Sequence, residues 1–197
     1  MNRKWVVVGA LAAVLAIVLG ARLGHDLLTQ DPAAKPAKPA KPAAPTVKRF
    51  HETVSDISLS FPASWTQLPS PDPEVPLLAV APGRTAVLQL RRSATGLEED
   101  ITRDTLPIAK RLTDPLFAAI KHTKLIEPAK AVEMGGLVGW RYRYTVDGDQ
   151  RARDHYFLFK GRFLLSMVFE VKPASRLQAV TPQFDRIASS VHNGPPQ

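Results

Sequence analysis

Apolar and polar residues divide the chain into three parts: an unbroken apolar run, a polar proline-rich stretch, and a long part with alternating patterns. The apolar run, Trp5 to Ala21, contains seventeen residues without a charge. A membrane-spanning helix needs about 20 apolar residues, with a lower limit near 17, whereas the apolar core of a cleaved signal peptide has about 7 to 15. The run therefore predicts a transmembrane signal anchor over residues 5–23.

The charges that flank this run indicate its orientation. Arg3 and Lys4 precede the apolar residues, and basic residues favour the cytoplasmic side of a membrane. Residues 1–4 are therefore predicted to be cytoplasmic, with the rest of the chain beyond the membrane. The small residues around Val18–Gly20 leave cleavage by a signal peptidase, and a secreted protein, as the alternative.

The polar stretch is predicted to be a stiff spacer. Residues 24–49 are rich in Pro, Ala and Lys, and the run Pro32 to Pro45 contains five prolines. Proline fixes φ and has no N–H to donate, so the run favours polyproline II, with about three residues per turn. This period places Lys35, Lys38 and Lys41 along one edge, where they can meet an anionic lipid surface or a cell-wall polymer.

The long third part has the length and patterning of one globular domain, residues 50–192. Ile57 to Pro62 alternates apolar and polar residues with the period of two that predicts a half-buried strand. Leu77 to Pro82 and Ala86 to Arg92 are predicted to pair as a hairpin. Residues 193–197 are predicted to form a flexible tail.

Between residues 95 and 123 the apolar positions change to the period of a helix. Pro107 and Pro115 each remove a backbone donor, so two or three short helical pieces are expected. One of these pieces would be capped by Asp114, with Pro115 at its first position. The predicted buried stripe consists of Leu97, Ile101, Ile108, Leu112, Leu116 and Ile120.

Lys124 to Met134 predicts an irregular strand, and Leu137 to Val171 predicts a three-stranded antiparallel meander. A two-residue turn at Gly148-Asp149 fixes the first register of this meander. The cross-strand pairs that it predicts are Trp140 with Phe157, Val138 with Phe159, and Arg143 with Asp154.

The second turn of the meander is predicted to have three residues, Lys160 to Arg162. It would place Phe159 opposite Phe163 and Phe157 opposite Leu165. Leu158, Leu164 and Val168 would then lie together on the reverse face, so both faces of the sheet are expected to be covered.

The C-terminal segment predicts an amphipathic helix that packs on the sheet, because Leu177 to Val191 carries apolar residues at steps of three and four. Pro173 suits its start, and Thr181-Pro182 predicts a kink. The predicted core consists of Phe61, Trp140, Phe157, Phe159, Leu165, Phe169, Leu177, Phe184 and Ile187.

These elements predict an α+β fold, an antiparallel sheet with helices packed on it. Three segments carry a resemblance to a known family: ISLSFPASW, the glycine pair before GWRYRY, and FDRIASSV near the end. Over roughly Val54 to Val191 the chain resembles the PsbP-like fold family. That family includes a photosystem II subunit, a Ran-binding nuclear import factor and many bacterial extracytoplasmic proteins. The resemblance implies a membrane-anchored, extracytoplasmic member, and it carries no catalytic residues.

The net charge of +8 does not indicate nucleic-acid binding, because its distribution is uneven. Residues 1–49 contribute +6 of it, which leaves +2 for the rest of the chain. A nucleic-acid-binding domain carries its positive charge on the folded part. The chain has no cysteine, so disulfides, thiolate metal sites and a lipid attached through cysteine are excluded.

No motif in the sequence predicts catalysis, a cofactor or a metal site. The five histidines are far apart, and no phosphate-binding loop or nucleophile elbow is present. The acidic run in Leu97 to Asp100 lacks the alternating ligands of a calcium loop and is better explained as the start of a helix.

One group of residues is a candidate ligand patch. In the predicted register, five side chains lie toward one end of the meander: Tyr142, Tyr144, Arg151, Arg153 and His155. Aromatic rings and arginine forks suit a small anion or a glycan. The alternative is that these are solvated strand ends, with arginine stems covering the tyrosine rings.

The sequence therefore favours a non-catalytic, membrane-anchored binding or scaffold domain of the bacterial cell envelope. Its expected partners are the membrane, through the N-terminal helix, an anionic lipid or wall polymer, and an envelope protein. The alternatives are an envelope enzyme with an unrecognised active site and a cleaved, secreted binding protein.

Overall fold

The structure, a computed structural model, describes residues 47–97, 99–148 and 150–196. The predicted membrane span and the spacer lysines Lys35, Lys38 and Lys41 lie outside these residues. The described part contains ten strands and two α-helices. They are β1 (Val47–Glu52), β2 (Ile57–Pro62), β3 (Thr66–Leu68), β4 (Leu77–Val80), β5 (Ala86–Ala94), α1 (Leu106–Ala118), β6 (Thr123–Met134), β7 (Leu137–Val146), β8 (Arg151–Lys160), β9 (Phe163–Val171), α2 (Leu177–Ser189) and β10 (His192–Asn193).

The strands form two antiparallel sheets, so the α+β class predicted from the sequence is confirmed. The large sheet has the order β3-β4-β5-β9-β8-β7-β6, and the small sheet has the order β1-β2-β10. One side of the large sheet, called the α2 face here, packs against α2 and the small sheet in one apolar cluster. The other side, called the α1 face, packs against α1.

The first predicted register of the meander is confirmed and the second is wrong. Trp140 lies opposite Phe157, and Arg143 lies opposite Asp154, as expected. The second turn, however, has two residues rather than three, because Lys160 pairs with Phe163. Gly161 adopts a φ of 53° there, which suits a tight two-residue turn.

This one-residue difference exchanges faces along β9, as the two-residue period of a strand requires. Leu164 lies opposite Phe159 on the α1 face, and Leu165 lies opposite Leu158 on the α2 face. Leu158 and Leu164 therefore do not share a face.

The described residues between 95 and 123 contain one α-helix rather than two or three pieces. Helix α1 begins beside Pro107 and continues through Pro115 to Ala118. Its buried residues are Leu106, Ala109, Thr113 and Leu116, while Ile108 of the predicted stripe is 62% exposed. Because α1 begins only at Leu106, the acidic residues at positions 99 and 100 do not start a helix.

Helix α2 confirms the predicted C-terminal helix and passes through Pro182 as a single continuous element. Beyond it, β10 pairs with β2, so Asn193 belongs to a strand. Gly135, in the turn between β6 and β7, has a φ of 55°, and a Cβ there would lie 2.0 Å from the carbonyl oxygen of Val191. Glycine thus allows the C-terminal segment to approach the sheet.

Eight of the nine predicted core residues are buried, and Trp140 is the exception. It is only partly buried and packs against the α1-face cluster. Its indole Nε1 donates to the Leu106 carbonyl oxygen at 3.2 Å, so the ring lies between the start of α1 and β7, at the margin of the cluster. Trp65, which ends the segment ISLSFPASW, is 1% exposed and belongs to the α2-face core.

Candidate functional site

The five residues of the predicted ligand patch do lie together, on the α1 face of β7 and β8. Tyr144 lies opposite Arg153, and Tyr142 lies opposite His155. All five residues are buried, and none is more than 5% exposed. They are therefore part of the interior, neither an open surface patch nor solvated strand ends, and ligand binding by them stays a prediction.

The two arginines of this group are paired with carboxylates that the sequence did not single out. Arg153 Nε donates to Glu170, and Arg151 Nη1 lies 3.4 Å from the other oxygen of the same carboxylate. Arg151 also binds Asp147 at the strand end. Glu170 was missed because the predicted register was shifted by one residue; in the observed register it lies directly opposite Arg153.

Both ring nitrogens of His155 have hydrogen-bond partners on the α1 face. Its Nδ1 lies 3.2 Å from the Tyr144 hydroxyl, and its Nε2 lies 2.7 Å from Ser166 Oγ. Burial, with a smaller contribution from the charge of Arg153, lowers the pKa of His155 to about 3. The imidazole is therefore neutral at physiological pH, with one nitrogen donating and the other accepting.

The distance between Ser166 and His155 would suit a nucleophile and its base. Both side chains are nevertheless buried, Ser166 at 4% and His155 at 1% exposure. They lie between β8 and β9 in the middle of the sheet, where a substrate has no access. The pair is accordingly part of the hydrogen-bond network that satisfies polar groups in the interior.

Tyr142 belongs to a second polar group, under helix α1. Its hydroxyl donates to Asp114 Oδ1 at 2.6 Å and lies 2.9 Å from Thr113 Oγ1. Lys110 Nζ donates to the same carboxylate at 2.7 Å. Burial alone would raise the pKa of Asp114, but the hydrogen bonds from Lys110 and Tyr142 outweigh it and lower that pKa. This group attaches α1 to β7.

The α2 face has its own ionic cluster, where β7 and β8 meet α2. Asp154 accepts hydrogen bonds from Arg141 Nε at 2.6 Å and from Arg143 Nη2 at 2.8 Å. Arg141 also reaches Asp185 on α2 at 3.0 Å, and Arg143 lies 3.6 Å from Glu127. Burial raises the pKa of Asp154 to about 6, against the opposing influence of Arg141.

The described residues contain no group of three or more His, Asp or Glu side chains that could hold a metal ion. In the same part of the chain, no helix is long and apolar enough to cross a membrane. A shallow pocket of about 70 Å³ opens at the edge of the large sheet, away from the predicted patch. Its lining residues are Arg103, Leu106, Ala131, Val132, Glu133 and Val138.

Comparisons with known proteins detect similarity in fold alone. No family model and no curated protein matches the chain. The solved structure of cyanobacterial PsbP (CyanoP) from Synechocystis sp. PCC 6803 is similar, with a TM-score of 0.58 and 18% identity over 80% of this chain and 98% of that one. LpqN of Mycobacterium tuberculosis, described as involved in cell envelope biogenesis, has a TM-score of 0.54 and 15% identity over 76% and 91%.

The Ran-binding protein Mog1p of Saccharomyces cerevisiae is also similar, with a TM-score of 0.50 and 9% identity over 76% of this chain and 96% of that one. These identities are too low to transfer activities or partners. The shared architecture of antiparallel sheets with two helices is the one that the sequence resemblance implied. The chain has the PsbP-like fold.

Proposed function

We propose that this protein is a membrane-anchored, extracytoplasmic binding or scaffold domain of the bacterial cell envelope, and that it catalyses no reaction. The observation that carries the proposal is the order of three segments. An apolar run long enough to span a bilayer is followed by the proline run Pro32 to Pro45, and β1 of the packed fold begins at Val47, two residues after the last of these prolines.

The polar interior supports a structural use of the chain's buried charges. On the α1 face, Arg151 and Arg153 share Glu170, and on the α2 face Arg141 and Arg143 share Asp154. A buried charge without a partner is unfavourable, so removing one member of such a group destabilises the fold. Because these charged groups are already paired with one another, their role is to stabilise the sheet. A ligand or partner would bind at the outer surface of the domain.

The descriptions of two structural neighbours fit this proposal. LpqN is described as involved in cell envelope biogenesis, and Mog1p is described as a Ran-binding protein. Neither description names a chemical reaction. At these low identities they are compatible with the proposal and do not define a partner.

Intact mass and topology together test the anchor. We expect a mature protein that begins at Met1 or Asn2, and a C-terminal domain that protease digests in whole protoplasts. A mature protein that begins near Ala21 would contradict a retained span. A domain that protease reaches only after the protoplasts are lysed would contradict the extracytoplasmic location.

Turnover tests the absence of catalysis. Purified chain is incubated with envelope extract, and the extract is compared by mass spectrometry with a sample that received heat-denatured chain. We expect bound components without any converted component. Conversion that requires the folded chain would support the enzyme alternative.

The spacer lysines form the second part of the proposal. Lys35, Lys38 and Lys41 have no carboxylate near them between Pro32 and Lys48. Near an anionic leaflet each contributes up to about 1 kcal/mol, and this attraction is screened beyond about 8 Å at physiological salt. We propose that they contact anionic lipid or wall polymer while proline keeps the spacer extended.

A further inference from the structure

Strand β6 is an open edge of the large sheet, on the side away from the start of the domain. The sheet runs from β3 at one edge to β6 at the other. Lys48 in β1 donates to the carbonyl oxygen of Trp65, the residue before β3, at 2.7 Å. The spacer therefore joins the domain near the β3 edge, and β6 lies six strand spacings away, about 29 Å at about 4.8 Å per strand.

The two halves of β6 differ in whether another strand can add to them. The first half contains Pro128, which has no N–H, and its register with β7 shifts between Leu125 and Lys130. Proline and bulges are the devices that prevent strands from adding to an edge. The second half, Lys130–Met134, keeps an unbroken register with β7. One half is thus blocked and the other is regular.

The hairpin between β6 and β7 determines which backbone groups of the regular half are free. Gly135 and Gly136 both have positive φ and form a two-residue turn, so Met134 and Leu137 are its hydrogen-bonded closing pair. Hydrogen-bonded and open pairs alternate along an antiparallel ladder. The N–H and C=O groups of Ala131 and Glu133 therefore point away from β7, toward the open edge.

The pocket at the sheet edge lies beside these two residues. Its floor is formed by Leu106 and Val138, which are 4% and 8% exposed. Ala131 and Glu133 are exposed at its rim, together with Arg103. A strand that added to the regular half of β6 would turn alternate side chains toward this pocket, and its volume of about 70 Å³ suits a small aliphatic group.

The charges of the regular half indicate what kind of strand fits. Lys130 binds Glu127 of the same strand and its side chain is still 56% exposed, and Glu133 is exposed three positions later. In a two-fold antiparallel pair of identical strands, residues that face each other have numbers with an even sum. Lys130 and Glu133 sum to an odd number, so two copies of this strand never place Lys130 opposite Glu133. A second copy of this chain therefore gains no ion pair at this edge.

We propose that the regular half of β6, Lys130–Met134, is a docking edge for an extended segment of a different polypeptide. That segment adds antiparallel to β6, with a basic side chain opposite Glu133, an acidic side chain opposite Lys130, and a small aliphatic side chain in the adjacent pocket. This inference rests on the proposed binding function and names its partner class, while the anchor and topology are tested separately by intact mass and protease access.

The test uses the full chain in detergent micelles and two acetylated, amidated six-residue peptides made of valine and threonine. One peptide carries lysine and then glutamate three positions later, and the other carries the two charges in reversed order. Binding is measured by chemical-shift titration, with hydrogen exchange to locate protected amides. We expect the first peptide to bind about tenfold more tightly, because two cross-strand attractions become two repulsions in the other, and we expect new protection at Ala131 and Glu133.

The double variant Lys130→Glu/Glu133→Lys is the matched control, because both positions are exposed; since Lys130→Glu also removes the ion pair with Glu127, urea unfolding first checks that the variant is folded. It should reverse the preference, so that the second peptide binds more tightly by about the same factor. In the variant Ala131→Pro, which loses one outward N–H, both peptides should bind more weakly. Equal affinity for the two peptides, protection elsewhere on the domain, or no binding at millimolar concentration overturns the proposal.

Discussion

Both faces of the large sheet bury apolar residues and charges, but in different proportions: the ionic cluster of the α2 face is centred on one fully buried carboxylate, Asp154, whereas the α1 face buries two arginines, a glutamate and a histidine between its apolar residues. On the α2 face, Phe169 stacks on Phe184 of helix α2 with ring centroids 4.7 Å apart. On the α1 face, the same strand β9 contributes Glu170, which holds Arg151 and Arg153. Adjacent residues of β9 thus pack on opposite faces of the sheet, one in an apolar contact and the other in an ionic group.

This difference indicates which property of each residue matters. Apolar contacts depend on volume and tolerate swaps that conserve it. Buried charges depend on specific partners, and removing one leaves the other without compensation. The α1 face is therefore the more sensitive to a change of a single chemical group, although its network is no more exposed than the apolar core.

The largest expected effect comes from breaking the arginine–glutamate group. Glu170→Leu removes the buried carboxylate that binds Arg153 and should lower the free energy of unfolding by about 3 to 5 kcal/mol. The double variant Arg153→Met/Glu170→Leu should recover most of this loss, because Arg151 keeps Asp147 as its partner. Urea unfolding of residues 47–197 measures both variants.

Met167→Leu is the control for this experiment, since Met167 is buried on the α2 face of the same strand. A volume-conserving apolar swap should cost less than about 1.5 kcal/mol. If Glu170→Leu costs no more than Met167→Leu, the two faces do not differ as described.

The next effect separates the fully buried ring of Phe157 from the partly buried ring of Trp140. Phe157→Ala should cost about 3 to 5 kcal/mol, because its side chain is 0% exposed. Trp140→Ala should cost clearly less, since part of that ring remains in contact with water in the folded state. Thermal and urea unfolding measure both, and equal losses would contradict the placement of Trp140 at the margin.

The two faces should also respond to acid in opposite directions. The pKa of His155 is lowered to about 3 in the fold, so the unfolded chain takes up a proton that the fold does not, and stability falls as the pH falls from about 6.5 toward 3. The pKa of Asp154 is raised to about 6, so the fold keeps a proton that the unfolded chain releases, and this contribution is lost as the pH rises from about 4 to 6.

Single substitutions separate these two contributions. In the variant His155→Gln, the free energy of unfolding should fall less steeply as the pH is lowered from 6.5 to 4.5. The slope should differ from that of the parent by up to about 1.4 kcal/mol per pH unit, the value for one proton. In the variant Asp154→Asn, the free energy of unfolding should fall more steeply over the same pH range. Urea unfolding at several pH values measures the slopes, and variants whose slopes both match that of the parent would contradict the two placements.

The smallest effect concerns the spacer. The variant Lys35→Gln/Lys38→Gln/Lys41→Gln keeps the reach of the polyproline segment and removes its charge. Prepared without residues 1–23, it should bind anionic vesicles more weakly than the parent at low salt, by at most about 1 kcal/mol per lysine. Neutral vesicles are the control. Equal binding of parent and variant to anionic vesicles would mean that the segment is only a spacer.

The fold was largely predictable because its apolar periods are clear. The strand from Ile57 to Pro62, the hairpin before Arg92, the first register of the meander and helix α2 all follow from spacing and turn residues. Helix α1 was less predictable, since Pro115 ordinarily interrupts a helix, and tertiary packing of Leu116 and Ile120 outweighs that tendency.

The sequence predicted which residues of the candidate site lie together, but it did not predict that these residues are buried. Cross-strand pairing brought Tyr144, Arg153 and His155 to one face, as the first register requires. Their burial depends on α1 and on β9, and the one-residue error at the second turn hid Glu170 as the partner of Arg153. A sequence contains no local pattern that separates a surface arginine from a buried one whose partner lies on another strand.

The most direct test of the buried polar network is an NMR titration of the His155 imidazole, with His155→Gln used for assignment. Because the side chain is 1% exposed and its pKa is lowered to about 3, its ring signals should stay those of a neutral imidazole from pH 7.5 down to about pH 4.5. The Nε2 signal should also report the hydrogen bond to Ser166. Titration with a midpoint near the ordinary value of about 6.5 would contradict the account, because it would place His155 and the residues around it at the surface.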